Sequence, residues 1–405
     1  MPFEWLVALR FLREGRMQTT LIVAGVAVGV AVIVFITALI NGLQSSLINR
    51  TLGSQAHIVI RPAEEVATPV VDRSATDVAA RIEARAQRLR SIDQWESTFA
   101  QVERQPGITA ASAMASGPGF AARGTASKSI VILGIEPERY TKIVAIQDNM
   151  VAGQFRVAGT DAVIGFELAK DLGVSVGDKI RITTAEDRED VVTVVGTFDI
   201  GNKELNRRWV FTTIRLAQNL LALPGGITTI DLTVRDLFGA DAIALEISAR
   251  TGLRAESWMT TNAQLLAAFR NQNLSTGTIR VFVTIIVALG IASVLVVSVV
   301  QKSREIGILR AMGTSPRRVL LVFLLQGALV ALGGSLLGSG LAALLVQFFA
   351  RVFRNADGSP ILAPELDPLL FLTTPAIAIV TGVLAAVLPA RRAAKLDPVQ
   401  AIRSG

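Results

Sequence analysis

Four long stretches of this chain carry no charge, and no other feature constrains its fold as strongly. Residues 19–40 form a run of 22 without an ionisable side chain, enough for a helix to cross about 30 Å of hydrocarbon. Residues 281–300 are a second such run and 319–350 a third, longer than a span needs. The third contains Gly327, Gly333, Gly334, Gly338 and Gly340. Glycines of this kind let membrane helices approach closely, and that reading is favoured here over a gating hinge. Residues 369–388 are the fourth run, with Pro375 in its first third and Pro389 marking its end.

Lysine and arginine orient these spans, because they concentrate on the cytoplasmic side. Arg10, Arg13 and Arg16 precede the first span. Lys302, Arg304, Arg310, Arg317 and Arg318 fill the loop between the second and third, and Arg391, Arg392, Lys395 and Arg403 follow the fourth. The loop at 351–368 has only Arg351 and Arg354. This distribution places 1–18 (an amphipathic segment), the 301–318 loop and the 389–405 tail in the cytoplasm, with 41–280 outside. A cleaved signal peptide would have a shorter apolar core and a small-x-small site after it, so 19–40 reads as an uncleaved anchor.

The net charge of +7 and the pI near 10.3 could suggest nucleic acid. Placement argues otherwise. Residues 41–280 hold 26 basic and 26 acidic side chains, and the excess positive charge lies beside the apolar runs. That is a topological pattern and not a nucleic-acid footprint. Charged residues make up 18% of the chain, against about 25% in soluble proteins. There is no cysteine, which excludes disulfides, thiol nucleophiles, cysteine-ligated metals and a lipidated cysteine.

Residues 41–280 read as an α+β domain carried on two stalk helices. Helical spacing continues past the first span through Leu43, Leu47 and Ile48, and precedes the second at Leu265, Leu266 and Phe269. Strands are expected at 57–60, 129–133, 179–182, 191–195, 209–211 and 229–234, and helices at 79–89, 93–104, 166–172 (closed by Gly173) and 241–251. The polar stretch 64–74 reads as a loop. The acidic run Glu186-Asp187-Arg188-Glu189-Asp190 reads as a solvated hairpin tip in preference to a cation site.

Catalytic signatures are missing. The lone His57 reads as structural, since a general base needs partners. No H-E-x-x-H, G-x-S-x-G, EF-hand or G-x-x-x-x-G-K-[ST] pattern occurs, so the chain is not expected to be an enzyme or its own P-loop ATPase. No charge lies within the four apolar runs, which argues against an ion relay in the bilayer.

The most informative stretch is 301–318. A short helix is expected from Arg304 to Met312, with Ile306, Leu309 and Met312 on one face and Gly313 closing it. Ser315 is placed to cap the next helix, with Pro316 at its first position. On composition alone the stretch fits equally a membrane-surface loop and a docking element. Its wording goes further. Arg304-Glu305-Ile306-Gly307-Ile308-Leu309-Arg310-Ala311-Met312-Gly313 resembles the signature of the FtsX/MacB/LolC-E family of ABC transporter permeases. The likeness continues at Gln326-Gly327, at Leu388-Pro389-Ala390-Arg391-Arg392-Ala393-Ala394 and at Asp397-Pro398. In the outer domain it includes Gly134-Ile135-Glu136-Pro137, Val151-Ala152-Gly153 and Leu172-Gly173-Val174 with Gly177-Asp178. Residues 53–60 resemble the lipoprotein-releasing branch.

The resemblance implies an α-helical membrane protein of four transmembrane helices with a MacB-like, two-part periplasmic domain, in the bacterial inner membrane. It implies a partner dimer of P-loop ABC ATPases that binds the ATP and Mg, so that this chain holds no cofactor. A second permease copy or paralogue completes the assembly, with membrane lipids and a lipoprotein or periplasmic carrier as further partners. Residues 304–313 would be the coupling helix on the ATPase. ATPase dimerisation would move the stalks, and an amphiphile would be extracted from the outer leaflet or periplasm. The alternative is an FtsX-like transducer that controls a cell-wall hydrolase without transport; a receptor or scaffold independent of an ATPase is a third. Members that recruit a lipoprotein chaperone carry an extended hook, expected here between 182 and 191, where this sequence has a tight acidic turn.

Overall fold

The computed structural model describes residues 3–53, 55–63, 89–353 and 368–396. In chain order the elements begin with α1 (Phe3–Glu14), α2 (Arg16–Leu52), β1 (Ile58–Arg61), α3 (Trp95–Glu103), β2 (Ile108–Arg123), β3 (Ala126–Ile135) and α4 (Pro137–Tyr140). They continue with β4 (Met150–Gly153), β5 (Asp161–Gly165), α5 (Phe166–Leu172), β6 (Lys179–Thr183), β7 (Glu189–Phe198), α6 (Lys203–Arg208), β8 (Trp209–Thr213) and α7 (Ile214–Leu220). The last are β9 (Thr229–Val234), α8 (Ala240–Thr251), β10 (Arg254–Ser257), α9 (Trp258–Thr261), α10 (Ala263–Gln301), α11 (Ser303–Ala311), α12 (Pro316–Val352) and α13 (Pro368–Ala394). The chain divides into two compact units, one of Met1–Ile48 with Ala267–Gly405 and one of Asn49–Leu266.

In the helical unit, α2, α10, α12 and α13 are the helices among the described residues long and apolar enough to cross a membrane. Each contains one of the four uncharged runs and extends beyond it, because backbone hydrogen bonding continues wherever the flanking residues tolerate a helix. The fourth run illustrates this. The helix does not end at Pro389 but passes through it to Ala394. An internal proline removes one i→i−4 bond, and Pro389 sits buried among Ala386, Ala390 and Ala393, all on the packed face.

Glycines set the distances between these helices. A Cβ on Gly334 would lie 2.6 Å from Val26 Cβ, and one on Gly338 would lie 2.5 Å from the Ala27 carbonyl oxygen, so α12 and α2 touch backbone to backbone. Gly327 and Gly382 do the same for α12 and α13, each Cβ position 2.7 Å from the other's carbonyl oxygen. These three glycines of the third span are contact points, as small residues are in membrane helix packing. Gly333 and Gly340 face open space. Helix α1 lays Ala8 and Phe11 against the same core, with the Phe11 and Phe323 rings 6.3 Å apart.

The other unit is built on a ten-stranded mixed sheet in the order β10-β1-β9-β2-β3-β8-β5-β7-β4, with β6 pairing β2 and β7. The first half of β2 pairs with β9 and its second half with β6. Pro118 falls between these pairings, where a missing N–H costs least. Alternation sends side chains to two cores. Ile130, Ile132, Ile164 and Val210 face Leu168 of α5 and Leu216 and Leu220 of α7. Leu133, Ile135, Val163 and Phe211 face Tyr140, Ile143, Val144 and Ile146. Burial on both faces explains the near-continuous apolar strands. The strands expected at 129–133, 179–182, 191–195, 209–211 and 229–234 lie within observed ones, as do the helices at 166–172 and 241–251. The helix expected at 93–104 spans Trp95–Glu103, whereas those at 79–89 and the loop at 64–74 fall largely or wholly outside the described residues.

Candidate functional site

The short helix between the second and third long spans is α11, one residue earlier than its sequence implies. Its C-terminus explains the boundary. Gly313 has φ +94°, the Gly313 N–H donates to the Arg310 carbonyl at 3.0 Å, and the Thr314 N–H donates to the Leu309 carbonyl at 3.1 Å. This is a Schellman closure, and its left-handed residue favours glycine. Ser315 occupies the next N-cap position and Pro316 the first turn, but the Ser315 hydroxyl makes no capping bond. Its carbonyl instead accepts from the Arg318 N–H at 3.0 Å.

Residues 304–313 divide by side. Ile306 and Gly307 are buried, and Leu309 packs partly against the same core. Arg304, Ile308, Ala311 and Met312 are exposed, Ile308 to 45% and Met312 to 79%. The expected face of Ile306, Leu309 and Met312 is therefore corrected. Met312 follows the last helical residue, and the chain's turn into Gly313 leaves it outward. Positions 304, 308 and 311 form an outward stripe at helical spacing. Glu305 accepts from Lys302 at 2.8 Å, and Arg310 donates to the Leu396 carbonyl just after α13.

The sequence reading missed what holds this helix in place. Glu14, at the end of α1, accepts from Arg10 at 2.8 Å and from Lys302 at 2.5 Å. Gln18 donates to Gln301 at 2.9 Å, and Arg318 lies 3.6 Å from Glu4. Lys302 also sits 5.5 Å from the Phe11 ring centre, within cation–π range. The two carboxylates hold the Lys302 ammonium above its ordinary pKa, Glu14 first and then Glu305. Arg10 first, and then Lys302, hold the Glu14 carboxyl below its own. The available signal was that Glu4 and Glu14 are the acidic residues of an otherwise basic N-terminal arm.

His57 and the acidic run have structural settings. His57 is half-buried, its Nδ1 accepting from the Val234 N–H at 3.1 Å, and burial lowers its pKa. Of the acidic run, Glu186, Asp187 and Arg188 lie in an exposed turn between β6 and β7, with Asp187 at φ +57° and Arg188 donating to the Asn219 carbonyl at 2.8 Å, while Glu189 and Asp190 open β7.

Residues 19–250 match the MacB-like periplasmic core domain family, and 277–398 match the FtsX-like permease C-terminal family. The chain belongs to this permease family. The lipoprotein-releasing system transmembrane protein LolC of Neisseria meningitidis is 25% identical over 98% of this chain and 98% of its own length. LolE of Haemophilus influenzae is 23% identical over 94% of this chain and 92% of its own. The macrolide export ATP-binding/permease protein MacB of a Shewanella species is 26% identical over 98% of this chain, which spans 60% of that longer protein. Family and helices together make this an ABC transporter permease subunit of the multi-pass, bacterial inner-membrane type.

Proposed function

We propose that this chain is the permease of an ABC transporter whose ATP and Mg are bound by a separate P-loop ATPase dimer. It pairs with a second permease copy or paralogue and extracts or extrudes an amphiphile, a lipoprotein or lipid-like molecule, from the periplasmic side of the inner membrane. Both termini and the 301–318 loop face the cytoplasm in this reading, which rests on the lysine and arginine distribution.

The observation that carries it is the two-sided helix α11. Ile306 and Gly307 anchor it while Arg304, Ile308, Ala311 and Met312 stand exposed between two spans. An apolar pair flanked by a cation, offered on the short connection between two long helices, suits docking into a groove on a soluble partner. The Lys302–Glu14 pairing ties α1 to the same platform. The names of the LolC and LolE relatives support the lipoprotein class.

The test is co-purification of the P-loop ATPase with Ile308→Asp and Met312→Asp variants in mild detergent. We expect at least about a tenfold loss of retained ATPase, since truncating or charging a central interface residue costs about 2 kcal/mol or more. Undiminished retention in both variants overturns the docking assignment.

A further inference from the structure

Next to the Lys302 pairing, within the helical unit, lies a partly enclosed cavity of about 290 Å³. It is walled by α1, the Gly15 break, the first turns of α2, the last turns of α10 and one face of α12. Its floor carries an anomaly. Gln326 is 1% exposed, and its Oε1 finds no hydrogen-bond partner among the described residues. A buried amide oxygen left unpaired in an apolar setting is expensive and asks for a donor. The polar groups around it do not supply one, and the Ser298 hydroxyl, also in the lining, is out of hydrogen-bonding reach of that oxygen. Gln18 donates to Gln301, the Thr19 hydroxyl donates to the Leu12 carbonyl, and Lys302 holds Glu14.

The charge around the cavity decides what class of group fits. The two charged side chains that line the cavity, Glu14 and Lys302, balance each other, so its lining carries no net charge that selects an anion or a cation. A zwitterion is matched, with its negative end toward the ammonium and its positive end toward the carboxylate and the unpaired amide oxygen. Ile22, Leu295 and Val330 line the rest, which suits an amphiphile better than a free solute. The volume exceeds that of a few waters, at about 30 Å³ each.

We propose that this cavity binds the headgroup of an aminophospholipid from the bilayer leaflet on the 301–318 side. The lipid's primary ammonium donates to Gln326 Oε1 and its phosphate faces Lys302. Such a lipid bridges α1, α10 and α12 where α11 begins, and so braces the platform of the proposed docking helix. Only the choice of leaflet and this bracing role rest on the function proposed above; lipid retention can be read without any ATPase.

Native mass spectrometry of the full-length protein, released from nanodiscs of equimolar phosphatidylethanolamine, phosphatidylcholine and phosphatidylglycerol, tests it. The choline headgroup has no N–H donor and the glycerol headgroup is anionic. We expect phosphatidylethanolamine to be retained about tenfold over either, the ratio for one satisfied buried hydrogen bond. Gln326→Leu should abolish that preference, and Gln326→Glu, which keeps an acceptor, should preserve it. The wild-type ratio stands even if the leucine variant fails to fold. Equal retention of the three lipids, a preference for phosphatidylglycerol, or an unchanged preference in a folded Gln326→Leu protein overturns the proposal.

Discussion

In the globular unit an apolar strand is covered on both sides, with Ile130 and Ile132 of β3 at 1% and 0% exposure facing one core and Leu133 at 5% facing the other. In the helical unit the coverage is uneven. Half of the most apolar stretch of α12 is buried, against 33% for α2, 17% for α10 and 11% for α13. Large side chains such as Phe282, Ile286 and Leu289 on α10 and Leu372 and Leu384 on α13 stand exposed. The first unit closes its own core, so its stability depends on filling space and satisfying polar groups. The second leaves apolar faces for lipid or a further subunit, so its internal order depends on how closely backbones approach at a few small residues.

The largest test of this contrast is Asp231, the buried carboxylate in the sheet. It is 5% exposed, stands opposite Val59 of β1 and Ser112 of β2, and its Oδ1 has no partner among the described residues. Burial raises its pKa from 3.8 to about 7, opposed by the Arg61 guanidinium. The folded chain therefore keeps this proton where the unfolded chain has lost it. The stability that this group contributes is full below about pH 4 and is lost as pH rises toward 7, by up to about 4 kcal/mol. Asp231→Asn should remove that slope and raise the melting temperature at pH 8, with little change at pH 4. Hydrogen exchange of peptides covering 229–234 in the full-length protein would show it, and parallel pH profiles for the two proteins would contradict it.

That carboxylate also shows where sequence reading stops. Residues 229–234 are evident as a strand, because Ile230, Leu232 and Val234 alternate, yet nothing local says that the opposite face is buried too. The long strand β2 went unseen altogether. Its run of Ala, Ser, Gly and Pro has low β-propensity, and it is a strand because β3, β6 and β9 pair with it. Spans and short helices were readable because hydropathy and caps are local signals. The 304–313 motif located α11, and Gly313 gave its end. The Lys302–Glu14 bond joins residues 288 apart in sequence, so no window could contain it.

A smaller effect is expected in the helical unit. A valine at 338 would press its Cβ against the Ala27 carbonyl oxygen at 2.5 Å and Val30 Cβ at 2.9 Å, whereas one at 340 meets nothing within 4 Å. Overpacking of this kind costs about 1–3 kcal/mol. Gly338→Val should lower the melting temperature in detergent, and Gly340→Val should not. If both behave alike, close backbone approach between α2 and α12 does not order this unit.

The smallest effect isolates conformation from packing. The Cβ position of Gly313 is open, with nothing within 4 Å, but its φ is +94°. An alanine there meets no neighbour and loses only the freedom to adopt a left-handed turn, a penalty of about 1 kcal/mol. The bonds from Gly313 to Arg310 and from Thr314 to Leu309 depend on that turn, so Gly313→Ala should speed hydrogen exchange at 313 and 314 while leaving β3 unchanged. Asparagine tolerates the same region better, so Gly313→Asn should fall between alanine and wild type. An alanine variant as protected as wild type would mean that α11 is held by Ile306 and the Lys302 pairing alone, with the Schellman turn following from that anchoring instead of defining where the helix ends.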